Sequence, residues 1–397
     1  MGQHVPPRPA VVLFPGRDER LRAGHLWVYR TEIARIEGAP QDGDAVAVRT
    51  ASGHHLGVGL LNTRSVITVR VLAAGDPPLD EAFFAGRLRS ALAVRGRPGW
   101  ASSAGRLVYS EGDGLPGLIV DRYGDVLVLQ TLTLGMDRRK EMLVRLLNET
   151  VHPRGIYARN DVAVRRLEGL PREHGWLTDA GPAVVEIEEG PCRFLVDIEH
   201  GQKTGFFLDQ RENRLRVAEL AAGLRVLDCF AYTGAWGIQA AARGAAAVTG
   251  MEISDAAVVM AEQNAGRNHC ADRCGWLREN AFDGLRRLAA AGPAFDLVIL
   301  DPPAFVKTRS SLAAGLAGYK EINLRALKVL APQSWLVTCS CSYHVDEARL
   351  VATVNEAARD ARRTIRIVES RSQARDHPVH PAMPETRYLK CLIIAVD

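Results

Sequence analysis

Arg225-Val226-Leu227-Asp228-Cys229-Phe230-Ala231-Tyr232-Thr233-Gly234-Ala235-Trp236-Gly237 is the stretch that decides the fold. Arg225 to Cys229 is short, apolar and β-branched, and predicts a strand. The glycines that follow permit a sharp turn into a helix. The same rhythm continues outward. Ala246 to Met251, Leu297 to Leu300 and Trp335 to Thr338 read as strands. Gln210 to Ala221, Gly234 to Arg243, Asp255 to Asn268 and Tyr319 to Leu330 read as helices between or before them. Strands alternating with helices of this length predict an α/β domain with a doubly wound, mostly parallel sheet. Ligands of such sheets bind beyond the carboxyl ends of the strands, so the residues after each strand carry the functional signal.

The first strand delivers Asp228. The fingerprint G-x-G-x-x-G is absent, so nothing there is built to cradle a pyrophosphate, which disfavours an oxidoreductase. A carboxylate in that place repels phosphate and suits a cationic or amine-bearing ligand. The second strand ends at Glu252, 24 positions later, where an acid can accept both hydroxyls of an adenosine ribose. Asn280 follows a third strand at Gly275 to Leu277; its amide is read as a contact to an adenine edge, with Phe282 over a ring face. Glu252 alone is explained as well by a solvated strand end. Together with Asp228, the glycine turn and Asn280 it points to adenosine binding. The fourth strand ends in Asp301-Pro302-Pro303-Ala304-Phe305, a rigid carboxylate platform with free proline carbonyls and an aromatic face for a base. The fifth ends in Thr338-Cys339-Ser340-Cys341-Ser342, and a thiol at a strand tip is a candidate nucleophile. The i, i+2 spacing points both cysteines the same way, so either could reach the cleft. Cys270 and Cys274, beside His269, lack a second ligand pair at zinc spacing, and no metal is expected.

Upstream, Ala10 to Phe14, Ala45 to Val48, Gly57 to Leu61 and Val66 to Val71 read as short strands separated by turn signals, a small β-rich unit ending before Gly75, Pro77 and Pro78. A mixed middle segment follows: a helix over Pro78 to Arg95, hairpins at Leu118–Leu132 and Val184–Val196, and a helix over Arg138 to Leu147. The 397 residues suggest two or three domains, and 47% hydrophobic content excludes a disordered chain. The net charge of +4 is no histone-like excess, yet 44 of the 50 basic residues are arginine, which pairs with phosphate and stacks on bases. A G+C-rich genome is the simpler explanation of that bias. Seven cysteines and no apolar leader or membrane-length apolar run predict reduced thiols and a cytoplasmic chain.

Asp228 to Gly237, Glu252, Asp301 to Phe305 and Ser340-Cys341-Ser342 resemble class I S-adenosylmethionine-dependent methyltransferases. More narrowly, the chain is similar to the bacterial 23S rRNA 5-methylcytosine methyltransferases with an N-terminal PUA domain. Gly24 to Tyr29 looks like that family's PUA signature, and Glu111 to Tyr123 like its central-domain signature. Gly201 to Arg214 matches its most specific motif, and His377-Pro378, Pro384-Glu385 and Tyr388-Leu389-Lys390 its C-terminal block. The resemblance implies a PUA-like RNA-binding domain at 1–75, a central α+β domain at 76–195 and a Rossmann-like methyltransferase domain at 196–397. It implies S-adenosyl-L-methionine as cofactor, held by Arg211, Asp228, Phe230, Tyr232, Gly234, Glu252, Asn280, Ala281, Phe282 and Asp301. Arg211 is the cation for the methionine carboxylate. Pro302, Pro303 and Phe305 would meet the target base, with Cys341 and Asp301 in catalysis. The partner would be 23S rRNA, naked or in a subunit precursor; a homodimer is left open, and no membrane is involved. Glu111, Asp113 and Asp121 read as a solvated acidic loop rather than a site.

Cytosine C5 is a poor nucleophile, and a thiolate adding at C6 makes it enamine-like. One class of RNA 5-methylcytosine enzymes carries an additional cysteine straight after the proline of its Asp-Pro motif. Here Pro303 stands there, which favours Cys341 as sole nucleophile and leaves the proton-removing base open, with His344 near in sequence. Three other readings compete: 5-methyluridine formation by the same thiol logic, methylation at a ring or exocyclic nitrogen, and a non-catalytic RNA-binding assembly factor. Nitrogen methylation would leave Cys341 idle.

Overall fold

A computed structural model describes residues 8–100, 102–292 and 294–397. Residues 1–7, at the start of the expected first domain, lie outside the described residues. The chain divides into two compact units. The first comprises the residues up to Val185 together with Val196–Phe206 and Arg375–Thr386; the second comprises Glu186–Leu195, Phe207–Ala374 and Arg387–Asp397. Two returns of the chain, at 196–206 and 375–386, interleave the units, so no single cut separates them in sequence.

The first unit holds two sheets. Six strands, in the order Trp27–Tyr29, Ile67–Ala73, His55–Leu61, Ala45–Arg49, Ala10–Leu13 and Ile33–Glu37, bury Val11, Leu13, Val28, Val46, Val48 and Val69. Five more, from Glu173–Trp176 through Gly155–Asn160, Val126–Thr131 and Leu118–Tyr123 to Ala104–Tyr109, carry helices Glu81–Arg95 and Lys140–Val151. The acidic segment expected to be a solvated loop is interior instead. Glu111 accepts from Trp27 Nε1 at 2.8 Å, Asp113 takes both arms of Arg95 at 2.6 and 2.8 Å, and Asp121 takes Arg106 at 2.7 and 2.8 Å. Burying such carboxylates is tolerated because each is paired.

The second unit is built on a seven-stranded sheet. Its strands are β1 (Arg225–Cys229), β2 (Ala247–Glu252), β3 (Cys274–Arg278), β4 (Phe295–Leu300), β5 (Leu330–Ser340), β6 (Ile365–Arg371) and β7 (Lys390–Val396). The order is β3-β2-β1-β4-β5-β7-β6, parallel from β3 to β5, with β7 antiparallel to both β5 and β6. The helices are α1 (Arg211–Ala218), α2 (Ala235–Ala242), α3 (Asp255–Arg267), α4 (Ala281–Ala291), α5 (Leu312–Val329) and α6 (Glu347–Ala361). Leu227, Val298, Leu300, Leu336, Leu392 and Ile394 pack against Tyr319, Ile322, Leu327, Leu350 and Val354 of α5 and α6. The strands read from sequence are present at their expected places; α4, α6, β6 and β7 were not anticipated. No helix among the described residues is long and apolar enough to cross a membrane.

Candidate active site

The parallel strands bring their carboxyl ends to one edge, and three acids meet there. Asp228 ends β1 wholly buried, with Oδ2 accepting from Gly237 N at 3.0 Å and Oδ1 without a partner. Burial pushes its carboxyl up to about 8; the Gly237 N–H opposes the shift, and the negative fields of Asp301 and Glu252 add to it. Glu252 ends β2 with Oε2 accepting from Tyr232 N and Oε1 from Ser254 N, both at 2.9 Å. Asp301 follows β4 and is fixed by two neutral donors, Gln210 Nε2 at 2.9 Å and Trp236 Nε1 at 3.0 Å. Gln210 is in turn held through Asn213 Nδ2 at 2.7 Å. Gln210 and Trp236 were not anticipated as site residues; their partner in the sheet lies 91 and 65 positions away in sequence.

The loop after β1 is held in an uncommon shape. Phe230 and Tyr232 have φ of 65° and 48°, the left-handed region that side chains rarely enter, and Gly234 has φ of 81°. Strain of this kind persists where surrounding structure over-determines it and is concentrated at functional sites. Gly234 serves packing as much as the turn: a Cβ there would lie 2.4 Å from the Trp276 ring. Beyond the loop, Phe230, Phe282 and Phe305 form one aromatic cluster, with centroids 5.6–6.5 Å apart, and Phe305 rests on Tyr319 at 4.8 Å. Tyr232 meets Phe207 edge-on at 5.4 Å, whereas Phe206 is buried in the first unit. Asn280 caps α4, its Oδ1 accepting from Phe282 N at 2.9 Å; Ala281 is buried. Arg211 opens α1, with Nη2 3.6 Å from Glu212. Pro302 is buried and Pro303 exposed.

Cys339 in β5 and Cys341 just beyond it differ in burial. Cys339 is fully buried, and its thiol is pushed up by burial against Cys391 and by the charge of Asp301. Cys339 lies within β5 beside Asp301 and Gln210, whereas Cys341 is one residue past the strand's end and half-buried. The serines on either side of Cys341 are anchored on one hydroxyl. Ser340 Oγ donates to Tyr319 OH at 2.9 Å, and Tyr319 OH and Ser342 Oγ lie 3.0 Å apart. Val306 N, just past the Asp-Pro-Pro platform, donates to Ser342 Oγ at 3.1 Å. The platform and the cysteine segment are thereby tied together. Tyr343, two residues on, is exposed with His344 against its ring.

The acid cluster, the orphaned Asp228 Oδ1 and the Glu252-braced loop fit a cationic nucleoside ligand, and with the sheet order they define a class I S-adenosylmethionine-dependent methyltransferase. A family model for S-adenosylmethionine-dependent methyltransferases matches residues 158–394, and one for PUA-like domains matches 11–74. The chain is 39% identical over 395 residues to ribosomal RNA large subunit methyltransferase I of Aeromonas hydrophila, covering 97% of this chain and 98% of that one. It is 38% identical over 390 residues to the protein of the same name in Vibrio cholerae, covering 96% and 98%. The chain belongs to this ribosomal RNA large subunit methyltransferase I family. Its fold also matches a SAM-dependent methyltransferase from Streptococcus mutans, with TM-score 0.83, 19% identity, and coverage of 97% of this chain and 100% of that one. A methyltransferase solved with S-adenosylhomocysteine matches with TM-score 0.85, 18% identity, and coverage of 97% and 99%.

Proposed function

We propose that this protein methylates C5 of a cytosine in 23S ribosomal RNA, free or in a subunit precursor, with Cys341 as the nucleophile. The observation that carries the reading is the half-buried Cys341 thiol, held between two serines hydrogen-bonded to Tyr319 and linked to the Asp301-Pro302-Pro303 platform through Val306. Bound S-adenosylmethionine supplies an electrophilic methyl group on a sulfonium. On this reading Glu252 would accept the ribose hydroxyls, Arg211 would pair with the methionine carboxylate, and Asp301 would face the positive charge, with Asp228 joining it by losing its proton on binding. Cys341 Sγ adds to C6 of the base, the C5–C6 π pair shifts toward the ring's C4–N3 end, and the enamine-like C5 takes the methyl, leaving S-adenosylhomocysteine. After methylation the C5 proton is lost, the C5–C6 double bond re-forms, and the thiolate leaves. The base lies over Pro302, Pro303 and Phe305. The PUA-like segment, with the 1–75, 76–195 and 196–397 divisions kept as functional regions, contributes RNA affinity through arginine contacts to phosphate.

Pyrimidine C5 chemistry is favoured over nitrogen methylation because a lone-pair nitrogen needs no thiol beside the platform. The test is RNA carrying 5-fluorocytosine at the target. Fluorine cannot leave as a proton does, so the thiol adduct persists on a denaturing gel. The wild type and Cys339→Ala form the adduct; Cys341→Ala does not, yet still binds S-adenosylmethionine. No adduct in the wild type, with methylation of unmodified RNA intact, would overturn this reading and favour nitrogen methylation.

A further inference from the structure

Five long basic side chains are buried among the described residues: Arg95, Arg159, Arg165, Arg214 and Lys390. Each arginine has a carboxylate within 3.3 Å. Lys390 has none within ion-pair distance. It stands at the start of β7, opposite Ser340 in the β5 register, with 7% of its surface exposed. Nζ donates to Ser342 O and to Tyr388 O, both at 2.8 Å. An ammonium has three N–H groups, and two are placed on carbonyls. Burying a cation without a carboxylate is costly, and a fold that carries one has generally put it to use.

We propose that Lys390 is a positioning residue for Cys341: pinned on the carbonyl next to the cysteine, its positive charge stabilises the Cys341 thiolate for attack, while the thiol proton passes to water. The inference rests on the nucleophile reading above. The groups that act on Lys390 are few. Cys341 beyond β5 and Asp346 at the start of α6 favour its charged form; Arg387, on the approach to β7, opposes it. Glu347 of α6 lies 3.7 Å from Arg387, and Arg371 of β6 is engaged by Asn213 and Glu369. Burial lowers Lys390 to about 8, with Cys341 the foremost influence in the other direction. At neutral pH most of the lysine still carries its charge. A thiol alone, with a reference pKa of ~8.5, would be only slightly ionised there.

The test uses the full chain and needs no RNA. Iodoacetamide alkylation of Cys341, in which the thiolate displaces iodide, is followed by mass spectrometry of its peptide against pH. Lys390→Gln keeps a donor for the carbonyls and removes the charge. It is expected to move the midpoint of the alkylation profile up by about one pH unit or more and to slow alkylation at pH 7 by roughly tenfold. Lys390→Arg keeps the charge and the wild-type profile. Lys390→Met serves as a second neutral variant if the glutamine protein loses S-adenosylmethionine binding. Superimposed profiles for the wild type and a folded neutral variant would overturn the proposal, as would equal shifts for Gln and Arg, which would assign the effect to packing. A charge-dependent shift without a 5-fluorocytosine adduct keeps the Lys390–Cys341 pair and rejects the nucleophile reading. An adduct with superimposed profiles does the reverse.

Discussion

Replacing Glu252 by alanine is expected to weaken S-adenosylmethionine binding by about 1.5–3 kcal/mol, the range for a hydrogen bond to a charged group. An ionised carboxylate offers roughly four lone-pair sites. Two of them hold the backbone, Tyr232 N on Oε2 and Ser254 N on Oε1, both at 2.9 Å. The remaining two are those a ribose diol would use. Alanine removes the ribose acceptors and also frees the strained Phe230–Tyr232 loop, so preorganisation is lost along with the bond. The corresponding rise in Kd is roughly 10- to 150-fold. Glu252→Gln should fall close to alanine, because its amide nitrogen would face one of the two backbone N–H groups donor to donor. Isothermal calorimetry with S-adenosylmethionine and S-adenosylhomocysteine gives the constants, and thermal melting checks that the variants are folded. A folded Glu252→Ala protein with Kd within threefold of wild type for both ligands would refute the ribose assignment.

Asp228→Asn is expected to flatten the dependence of stability on pH. The native carboxyl sits near 8 against an ordinary 3.8, so its contribution is fully present below about pH 4 and is lost as pH rises through 8. Urea unfolding at pH 5 and pH 8 should therefore show a smaller difference for the variant than for the wild type; an equal or larger one contradicts the buried neutral acid. Gly250→Ala should lower stability by about 1–3 kcal/mol, the usual cost of overpacking, because its Cβ would lie 2.2 Å from the Trp276 ring. Adding Trp276→Leu should recover part of the loss, and strict additivity of the two changes in chemical denaturation would show that the contact is not what matters.

The parallel part of the second sheet was legible because each strand is a short apolar run followed by a helix. Arg225–Cys229 is read and observed with the same bounds. β7 was not, although Cys391-Leu392-Ile393-Ile394 is as apolar as any of them. A run without alternation does not distinguish a buried strand from a buried helix segment, and nothing local says that it inserts antiparallel between β5 and β6. That insertion delivers Lys390 to the Cys341 segment across 48 positions of sequence. The same reason hid Gln210, Trp236 and Tyr319. The strand-tip acids could be found because parallel strands must place their carboxyl ends on one edge. Their partners come from helices whose facing side a single sequence does not reveal.

Why the tips carry so many acids follows from the ligand. Asp228 holds its proton because burial, reinforced by the charges of Asp301 and Glu252, makes a further negative charge unfavourable. Two of the acids are restrained by donors that carry no charge, the backbone amides on Glu252 and the Gln210 and Trp236 side chains on Asp301. These donors fix the acids before any ligand arrives, and such preorganisation would favour the cationic cofactor proposed to bind there. At the next strand the polarity reverses. β7 brings Lys390 to the Cys341 segment, its Nζ donating to Ser342 O, which on the proposed mechanism would favour the thiolate. Under the proposed function the sheet would set an acidic edge for the cofactor beside a basic corner for the nucleophile, and Val306 N to Ser342 Oγ, at 3.1 Å, joins the platform to the cysteine segment.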